Sequence, residues 1–238
     1  WSEGSPTETP GEITTAGTYN MYCNREARFY VTVLYNDAWF RESNRRTEFH
    51  NPDMDGGGYN SPQAGYLLRK KVHPHHNELN DNYIYRPGIL YRLGEAYLNY
   101  AEALNECDPG NADILVYLNK IRERAGIPTY GSGPDQIAVD ASDQIAMRKL
   151  IRMERRVELC VEGVRYNDLR RWKEAPEVMN KEPRSWNRDG KTQEDFYQVI
   201  PANQGGRVRV FEAPKSYWLA IPLNQINKNP NLVQNPGY

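Results

Sequence analysis

Several features that mark large classes of protein are missing from this sequence. Its longest apolar runs are only a few residues long, whereas a helix that crosses a membrane needs roughly 20 apolar residues. The 30 basic and 31 acidic residues are interleaved and give a formal net charge of −1. This balance provides no electrostatic attraction to nucleic acid or to an anionic membrane. We therefore expect neither a membrane-spanning helix nor a nucleic-acid partner.

Cysteine and the common catalytic motifs are also scarce. The 3 cysteines show neither a CxxC motif nor the spacing of a metal site. The sequence contains no GxSxG, no HExxH and no P-loop. No isolated pair of carboxylates indicates a glycosidase dyad. We therefore expect no catalytic residues and no cofactor. A glycoside hydrolase stays as an alternative, because such dyads are often invisible in a sequence.

Aromatic residues, in contrast, are abundant, with 17 tyrosines and 5 tryptophans. Trp39 and Phe40, beside Arg41, lie where the chain becomes irregular, and Tyr66 follows in the same region. An aromatic platform with polar neighbours can hold a sugar ring, because the apolar face of the sugar stacks while its hydroxyls form hydrogen bonds. These four residues are the candidate ligand-binding residues. The alternative is that Trp39 belongs to the core.

The sequence pattern changes near residue 88, from loop-rich to helical. Residues 1–87 form a loop-rich segment, which we expect on the ligand side, with one short strand predicted in "RFYVTVLYN" at Arg28–Asn36. An irregular stretch as long as Asp37–Pro87 is usually functional. Residues 88–238 are predicted to form a helical region. We expect both parts to belong to one domain.

Two helices with a short turn follow residue 88. Apolar residues recur along Leu90–Glu106 at helical spacing, and a second helix is predicted over Ala112–Ala125, with Asn111 as its N-cap and Gly126 as its end. The unit resembles one tetratricopeptide hairpin. A single hairpin cannot bury its own apolar face, so partner helices are required, and we expect upstream sequence to supply them.

A third helix is predicted over Asp143–Glu162, capped by Ser142. Its core stripe is predicted at Ala146, Leu150, Met153, Val157 and Cys160/Val161. Glu154, Glu158 and Glu162 share another face, where they could act in acid–base chemistry or hold a cation. Nearby arginines favour a structural ion network instead. We assign Glu154, Arg155, Glu158 and Arg165 to that network.

One loop resembles a calcium site. Asn51, Asp53, Asp55 and Gly56 match the opening of a calcium-binding loop, which makes Asp53 and Asp55 candidate calcium ligands. The match is incomplete, because Pro62 stands where a bidentate glutamate is needed. A plain glycine-rich turn is the alternative. The three histidines of "HPHH" lack a further ligand at zinc spacing and are read as solvated loop residues.

Four segments resemble motifs of one known family, and they follow one another in the order in which that family has them. "LYRLGEAYLNYAEALNE" at Leu90–Glu106 is similar to the pattern RxxExYLxxAEA, and "LNKIRERAGIP" resembles the helix that follows it. "IRMERRVELCVEGVRYNDLRRW" at Ile151–Trp172 resembles ERRxELxxEGxRxxDLxRW. "NREARFYVTVLYND" is similar to RDPRFxxTV, departing at Glu26 and Ala27. With its turn-rich tail at Ser216–Tyr238, the chain resembles the C-terminal half of the SusD/RagB family.

The resemblance implies a fold, a partner and a place in the cell. The fold would be mostly α, with tetratricopeptide-like helical hairpins and extensive irregular loops in a SusD-like α-α superhelix. The function would be to capture an oligosaccharide at the cell surface and hand it to a SusC-like TonB-dependent transporter. The protein would lie on the extracellular face of the outer membrane, lipid-anchored through an N-terminal part that is not in this chain. The alternatives are a peptide-capturing receptor of the same type and an adaptor that binds a protein segment.

Overall fold

The structure is a computed structural model that describes residues 18–40, 45–73, 75–76, 80–202 and 209–238. The chain forms two compact units. The first unit consists of the chain up to Glu162 together with the separate segment Trp186–Gln198. The second consists of Gly163–Ser185 and Val199–Tyr238. The sequence suggests a different division, near residue 88, between a loop-rich segment and a helical region, and that division stays a prediction.

Helices dominate the regular structure, as predicted. The helices are α1 (Ala27–Thr32), α2 (Leu93–Cys107), α3 (Ala112–Ala125), α4 (Gln144–Glu158), α5 (Arg165–Arg171), α6 (Ala175–Met179), α7 (Gln193–Phe196) and α8 (Leu223–Ile226). The strands are β1 (Val33–Tyr35), β2 (Trp39–Phe40), β3 (Arg45–Arg46), β4 (Tyr66–Leu68), β5 (Tyr130–Gly131), β6 (Ile137–Ala138), β7 (Arg184–Trp186) and β8 (Val199–Pro201). They pair as β1–β4, β2–β3, β5–β6 and β7–β8. The mostly helical fold with extensive loops is therefore confirmed.

The α2/α3 hairpin follows from local signals. The side chain of Asn111 accepts a hydrogen bond from the N–H of Asp113 at 3.0 Å and caps α3. Gly126 ends α3 at φ +68°, in the left-handed conformation that glycine adopts without strain. The predicted bounds of α3 are therefore confirmed. Helix α2 begins at Leu93, three residues after the predicted start, because Arg92 has an extended backbone.

The hairpin finds its partner helix inside this chain. Helix α4 packs against both α2 and α3. The buried apolar residues of the three helices are Leu98, Ala101, Ile114, Leu118, Ile121, Ala125, Met147 and Ile151. The expectation that upstream sequence must cover the hairpin is therefore wrong for this face, since α4 covers it.

The predicted core stripe of α4 is wrong. Helix α4 buries Met147, Ile151, Glu154, Arg155 and Glu158, while Met153 is 53% exposed. The face that carries the glutamates points inward because cationic side chains from other segments meet it there. The N-cap also differs from the prediction. Asp143, the residue after Ser142, accepts hydrogen bonds from two backbone N–H groups in the first turn.

The strand predicted over Arg28–Asn36 is mostly helical. Its first part belongs to α1, and only β1 is extended; β1 pairs antiparallel with β4. A helix places Arg28 on one side, where it reaches Glu154, and Tyr30 on another. The β-branched and aromatic composition favoured a strand, but these tertiary contacts outweigh so weak a preference.

A second core, built mainly of aromatic rings, lies beside β1. Its buried members are Tyr22, Leu34, Tyr35, Ala38, Phe49, Trp186, Phe196 and Tyr197. The indole N–H of Trp186 donates to the hydroxyl oxygens of Tyr22 at 2.7 Å and Tyr66 at 2.8 Å, so buried polar atoms are paired. Gly65 has φ +78°, and a Cβ there would lie 2.7 Å from the Trp186 ring. Only glycine fits this approach.

Glu158 is the centre of a buried ion network on α4. Its side chain is 2% exposed and accepts hydrogen bonds from Arg92 at 2.6 Å, Arg124 at 2.7 Å and Arg28 at 3.1 Å. Burial alone would raise the pKa of this carboxyl. The Arg92 hydrogen bond and the charges of Arg124 and Arg92 outweigh burial, and the pKa lies below its usual value.

Glu154 and Glu162 extend the network along α4 and just beyond its end. Each is also bound by one of the arginines that bind Glu158. Arg122 adds a contact to Glu154 at 2.7 Å, and Lys70 adds one to Glu162 at 2.6 Å. Burial raises the pKa of the Glu162 carboxyl, but hydrogen bonds from arginine and from Lys70 lower it below its usual value. Segments far apart in sequence are thereby tied to one helix.

We expect Glu158→Gln to reduce the free energy of unfolding at pH 7 by roughly 3–5 kcal/mol, because it removes the buried negative charge on which three arginines converge. A lowered folded-state pKa adds stability that is present above the unfolded value of about 4.3. That stability is lost as pH falls through the folded value. The wild type should therefore lose stability below about pH 4.5 by an increment that the variant lacks.

Urea unfolding of both proteins between pH 7 and pH 3 measures these effects. Glu177→Gln is the matched control, because the Glu177 side chain is 77% exposed and, within the described part of the chain, its ion pair is with Lys181. The control should change stability by less than about 0.5 kcal/mol. Equal unfolding free energies for wild type and Glu158→Gln at pH 7 would show that the network does not hold the fold.

Candidate ligand-binding site

A cleft of about 450 Å³ lies between α1 and the segment that follows β4. Its described lining consists of Ala27, Tyr30, Val31, Leu34, Phe40, Leu68, Arg69, Val72, His73 and His76. The volume is within the range of small-molecule sites, roughly 300–1,000 Å³. We refer to this space as the α1 cleft.

The helical form of α1 creates one wall of the α1 cleft. Ala27, Tyr30 and Val31 follow the spacing of one helix face, so they meet on the same side, and Leu34 of β1 continues this wall. The Tyr30 hydroxyl donates to the carbonyl of Tyr22 at 2.7 Å and accepts from the N–H of Arg25 at 3.0 Å. These two bonds fix the ring of Tyr30, so the wall is ordered before a ligand binds.

The opposite wall carries the polar groups. The N–H of Arg69 donates to the carbonyl of Thr32 at 2.8 Å, which holds this segment beside α1. Nδ1 of His73 accepts from the N–H of His75 at 3.2 Å, and Nδ1 of His76 accepts from the N–H of Ile84 at 3.2 Å. In the neutral ring the hydrogen is then on Nε2, so each imidazole is assigned as a donor there.

Trp39 and Phe40 lie on the short ribbon formed by β2 and β3. Successive residues of a strand point to opposite sides, and the two rings differ accordingly. Phe40 is partly buried, packs against the aromatic core and lines the α1 cleft. Trp39 is 50% exposed, opposite Arg46 in the ribbon. Trp39 therefore presents ring surface to solvent beside a cleft that Phe40 helps to line.

The two other candidate ligand residues have different positions. The Tyr66 hydroxyl accepts hydrogen bonds from Trp186 at 2.8 Å and from the Tyr22 hydroxyl at 3.2 Å, so it belongs to the polar part of the aromatic core. Burial raises the pKa of the Tyr66 phenol. Arg41 lies outside the described residues. The structure thus brings Phe40 to the cleft and places Trp39 nearby, while Tyr66 packs inward.

The acidic loop at Asp55 is occupied by an arginine. The Arg45 guanidinium donates to both carboxylate oxygens of Asp55 at 2.7 Å, and the N–H of Glu48 adds a third bond at 2.8 Å. The hydrogen bond from Arg45 lowers the pKa of Asp55. Asp53 is exposed. Among the described residues no group of three or more His, Cys, Asp or Glu side chains could hold a metal. These residues do not fit a calcium ion.

The four residues assigned from the sequence to one ion network have different positions and partners in the structure. Glu154 and Glu158 carry the network described above. The Arg155 guanidinium donates to the side-chain oxygen of Asn99 at 2.6 Å, which ties α4 to α2. Arg165 begins α5 in the second unit, where its guanidinium lies 5.8 Å from the centre of the Trp172 ring.

A larger cleft, about 750 Å³, lies on the other side of α1. Phe29, Met153 and Val157 provide apolar lining, and Arg122 and Glu154 contribute its buried polar groups. Those polar groups already bind each other at 2.7 Å, so they offer little to a ligand. The α1 cleft is therefore the stronger ligand site.

Sequence reasoning missed Tyr30, Arg69, His73 and His76 as cleft residues. Tyr30 was hidden because its segment was interpreted as a strand, which would turn alternate residues apart. The histidines were interpreted as solvated loop residues, yet both are partly buried. A prediction that Tyr66–Leu68 forms a strand paired with β1 would have identified them, because this pairing brings the residues after Leu68 next to α1.

Across the described residues, no helix has the length and apolar character required to traverse a membrane.

Comparison with known proteins gives consistent matches. The model of the SusD family matches residues 2–238. A SusD-like protein of Formosa agariphila, P2, is 30% identical over 151 residues, which cover 63% of this chain and 26% of the relative. A second from the same organism, P38, is 41% identical over 92 residues, covering 38% of this chain and 18% of the relative. The chain thus spans about a quarter or less of these curated relatives.

Solved structures agree in fold. A SusD-like protein of Bacteroides fragilis, BF3747, is 26% identical with a TM-score of 0.70, and the match covers 100% of this chain and 43% of that one. A protein from the same species described as a SusD-like carbohydrate binding protein, BF0978, is 26% identical with a TM-score of 0.67, covering 98% and 45%. This chain therefore spans less than half of each solved relative.

The family model covers nearly the whole chain, and the fold of the solved relatives extends over it from end to end. The tetratricopeptide-like hairpin, the helix with its glutamates and the turn-rich tail are the features on which the resemblance in sequence rested. This chain belongs to the SusD family.

Proposed function

We propose that this protein captures an oligosaccharide at the cell surface and hands it to a SusC-like TonB-dependent transporter. The observation that carries the proposal is the pairing of an exposed Trp39 with the α1 cleft, which Phe40 helps to line. One solved relative, BF0978, is described as carbohydrate binding, which supports a saccharide as the ligand.

The chemistry of the site suits a sugar. A pyranose ring has an apolar face and a rim of hydroxyl groups, and it binds where an aromatic ring adjoins hydrogen-bonding side chains. Trp39 offers the exposed ring surface. The α1 cleft offers apolar side chains with Arg69, His73 and His76 among them. We propose that one sugar unit stacks on Trp39 while a neighbouring unit enters the cleft.

We propose binding without cleavage. Glycoside hydrolysis requires two carboxyl groups placed roughly 5–9.5 Å apart around the scissile bond. The described lining of the α1 cleft contains no aspartate or glutamate. Glu154, Glu158 and Glu162 are all bound by arginine or lysine. The carboxylates that stand out in the sequence therefore have a structural role in this proposal.

The transporter partner and the cellular location are parts of the same proposal. They follow from membership of the SusD family, whose members are cell-surface lipoproteins that work with SusC-like transporters. We propose that the protein lies on the extracellular face of the outer membrane and is anchored there by lipid. Because the chain spans less than half of its solved relatives, these properties concern the whole protein.

We expect Trp39→Ala to weaken saccharide binding by about 1–3 kcal/mol, or roughly 5- to 150-fold, because stacking area is lost. The melting temperature should change little, since Trp39 is outside the buried core. A screen of matched oligosaccharides and oligopeptides first identifies the ligand, and isothermal titration calorimetry then measures the dissociation constants.

Trp218→Ala is the matched control for Trp39→Ala, because Trp218 is 57% exposed and lies in the second unit. The control should bind as the wild type does. Equal affinity of Trp39→Ala and wild type would remove Trp39 from the site. A screen in which only peptides bind would replace the saccharide with the peptide alternative, and release of cleaved sugars would favour a hydrolase.

The transporter proposal has its own test. The whole protein, carrying an affinity tag, should be recovered from detergent-solubilised outer membranes together with a large β-barrel protein of the TonB-dependent class. A tagged, unrelated surface lipoprotein from the same membranes provides the background. Recovery of the tagged protein at that background level, under detergents that preserve known barrel complexes, would contradict a stable association.

A further inference from the structure

We infer that the captured saccharide carries an anionic group, a carboxylate or a sulfate ester, and that Arg69 binds this group in the α1 cleft. The inference rests on the proposed function and narrows its substrate class. Three observations carry it: the charges of the cleft lining, the lack of a carboxylate partner for Arg69 among the described residues, and the donor character of the polar wall.

The described lining of the α1 cleft has charge of one sign only. Arg69 is its permanent cation, and no aspartate or glutamate lines it among the residues that the structure describes. Most of the other lining side chains are apolar. Apolar walls partly exclude water from around the cation. The attraction between Arg69 and a bound anion would therefore be stronger here than at an open surface.

Arg69 differs from four arginines that surround the ion network beside α1. Arg28, Arg92, Arg122 and Arg124 each bind a glutamate of α4 at 3.1 Å or less. The guanidinium of Arg69 pairs with no carboxylate in the described part of the chain, although Arg69 is partly buried. Its neighbour Lys70 turns to Glu162 and to the carbonyl of Glu158. Arg69 is thus left facing the cleft with its charge available.

The histidines add donors to the same wall. Nδ1 of both His73 and His76 accepts a backbone N–H, so the hydrogen of each neutral ring is assigned to Nε2. A guanidinium is a donor with no acceptor atom. A wall of donors suits an acceptor-only group, and carboxylates and sulfate esters are such groups. A neutral sugar, whose hydroxyls also donate, would leave its own donors unpaired there.

Matched pairs of oligosaccharides test this inference. Each pair consists of an acidic oligosaccharide and its neutral counterpart: oligogalacturonides against their carboxyl-reduced forms, and κ-carrageenan oligosaccharides against their desulfated forms. The wider screen for the proposed function is composed of the same kind of pairs, with neutral plant glucans and mannans and their oxidised, uronate-bearing derivatives. Dissociation constants are measured for wild type, Arg69→Gln and Arg86→Gln.

We expect the wild type to bind the acidic member of at least one pair roughly 10- to 100-fold more tightly than its neutral counterpart, the scale of a charge-assisted hydrogen bond. Arg69→Gln should abolish that preference, so that both members of the pair bind with similar affinity, and the melting temperature should stay unchanged. Arg86→Gln should keep the preference, because Arg86 is exposed and outside the cleft lining. Which pair responds distinguishes a carboxylate from a sulfate.

The results that would overturn the inference are separable from failure of the proposed function. Equal affinity for both members of every pair that binds would overturn the anionic group and leave saccharide capture standing. A preference that survives in Arg69→Gln would overturn the role of Arg69. Binding of peptides with no saccharide bound at all would overturn the proposed function and this inference together.

Discussion

Three carboxylates, two on α4 and one just beyond its end, tie other segments of the first unit together. Glu154, Glu158 and Glu162 bind cationic side chains from α1, from the segment after β4, from the start of α2 and from α3: Arg28, Lys70, Arg92, Arg122 and Arg124. Buried charges are costly unless each is paired, so only an arrangement that brings these segments together is low in free energy. The network stabilises one arrangement because the alternatives leave a charge unpaired.

The candidate site depends on the same network. Arg28 fixes one face of α1 to Glu154, which leaves Ala27, Tyr30 and Val31 on the face that lines the α1 cleft. Lys70 fixes the opposite wall to Glu162, and its neighbour Arg69 lines the cleft. The walls of the cleft are thus anchored, through these residues, to α4 and to the turn just after it. The proposed ligand binding and the stability of the fold would therefore share a scaffold but use different side chains.

Local signals in the sequence were sufficient for part of this structure. Helix α3 was predicted with the correct bounds because its cap, its stripe and its terminal Gly126 are all local. The stripe of α4 was wrong, because the partners of Glu154 and Glu158 come from 30 or more residues away and no periodicity reveals them. The aromatic character of Phe40 predicts a ligand-binding residue; the structure places Phe40 in the lining of the α1 cleft, and its contact with a ligand stays a prediction. The position of Arg69 in the cleft lining could not be predicted from the sequence. It depends on Lys70 turning to Glu162, a contact between distant segments that no local pattern reveals.

Hydrogen–deuterium exchange of Glu158→Gln against wild type at pH 7 tests whether the α4 carboxylates hold these segments together. We expect protection to fall together in α1, in the first turn of α2 and in the last turn of α3, where the arginines that bind Glu158 are located. Protection in α5, in the second unit, should stay unchanged. A loss of protection confined to the last turn of α4 would contradict this role for the network.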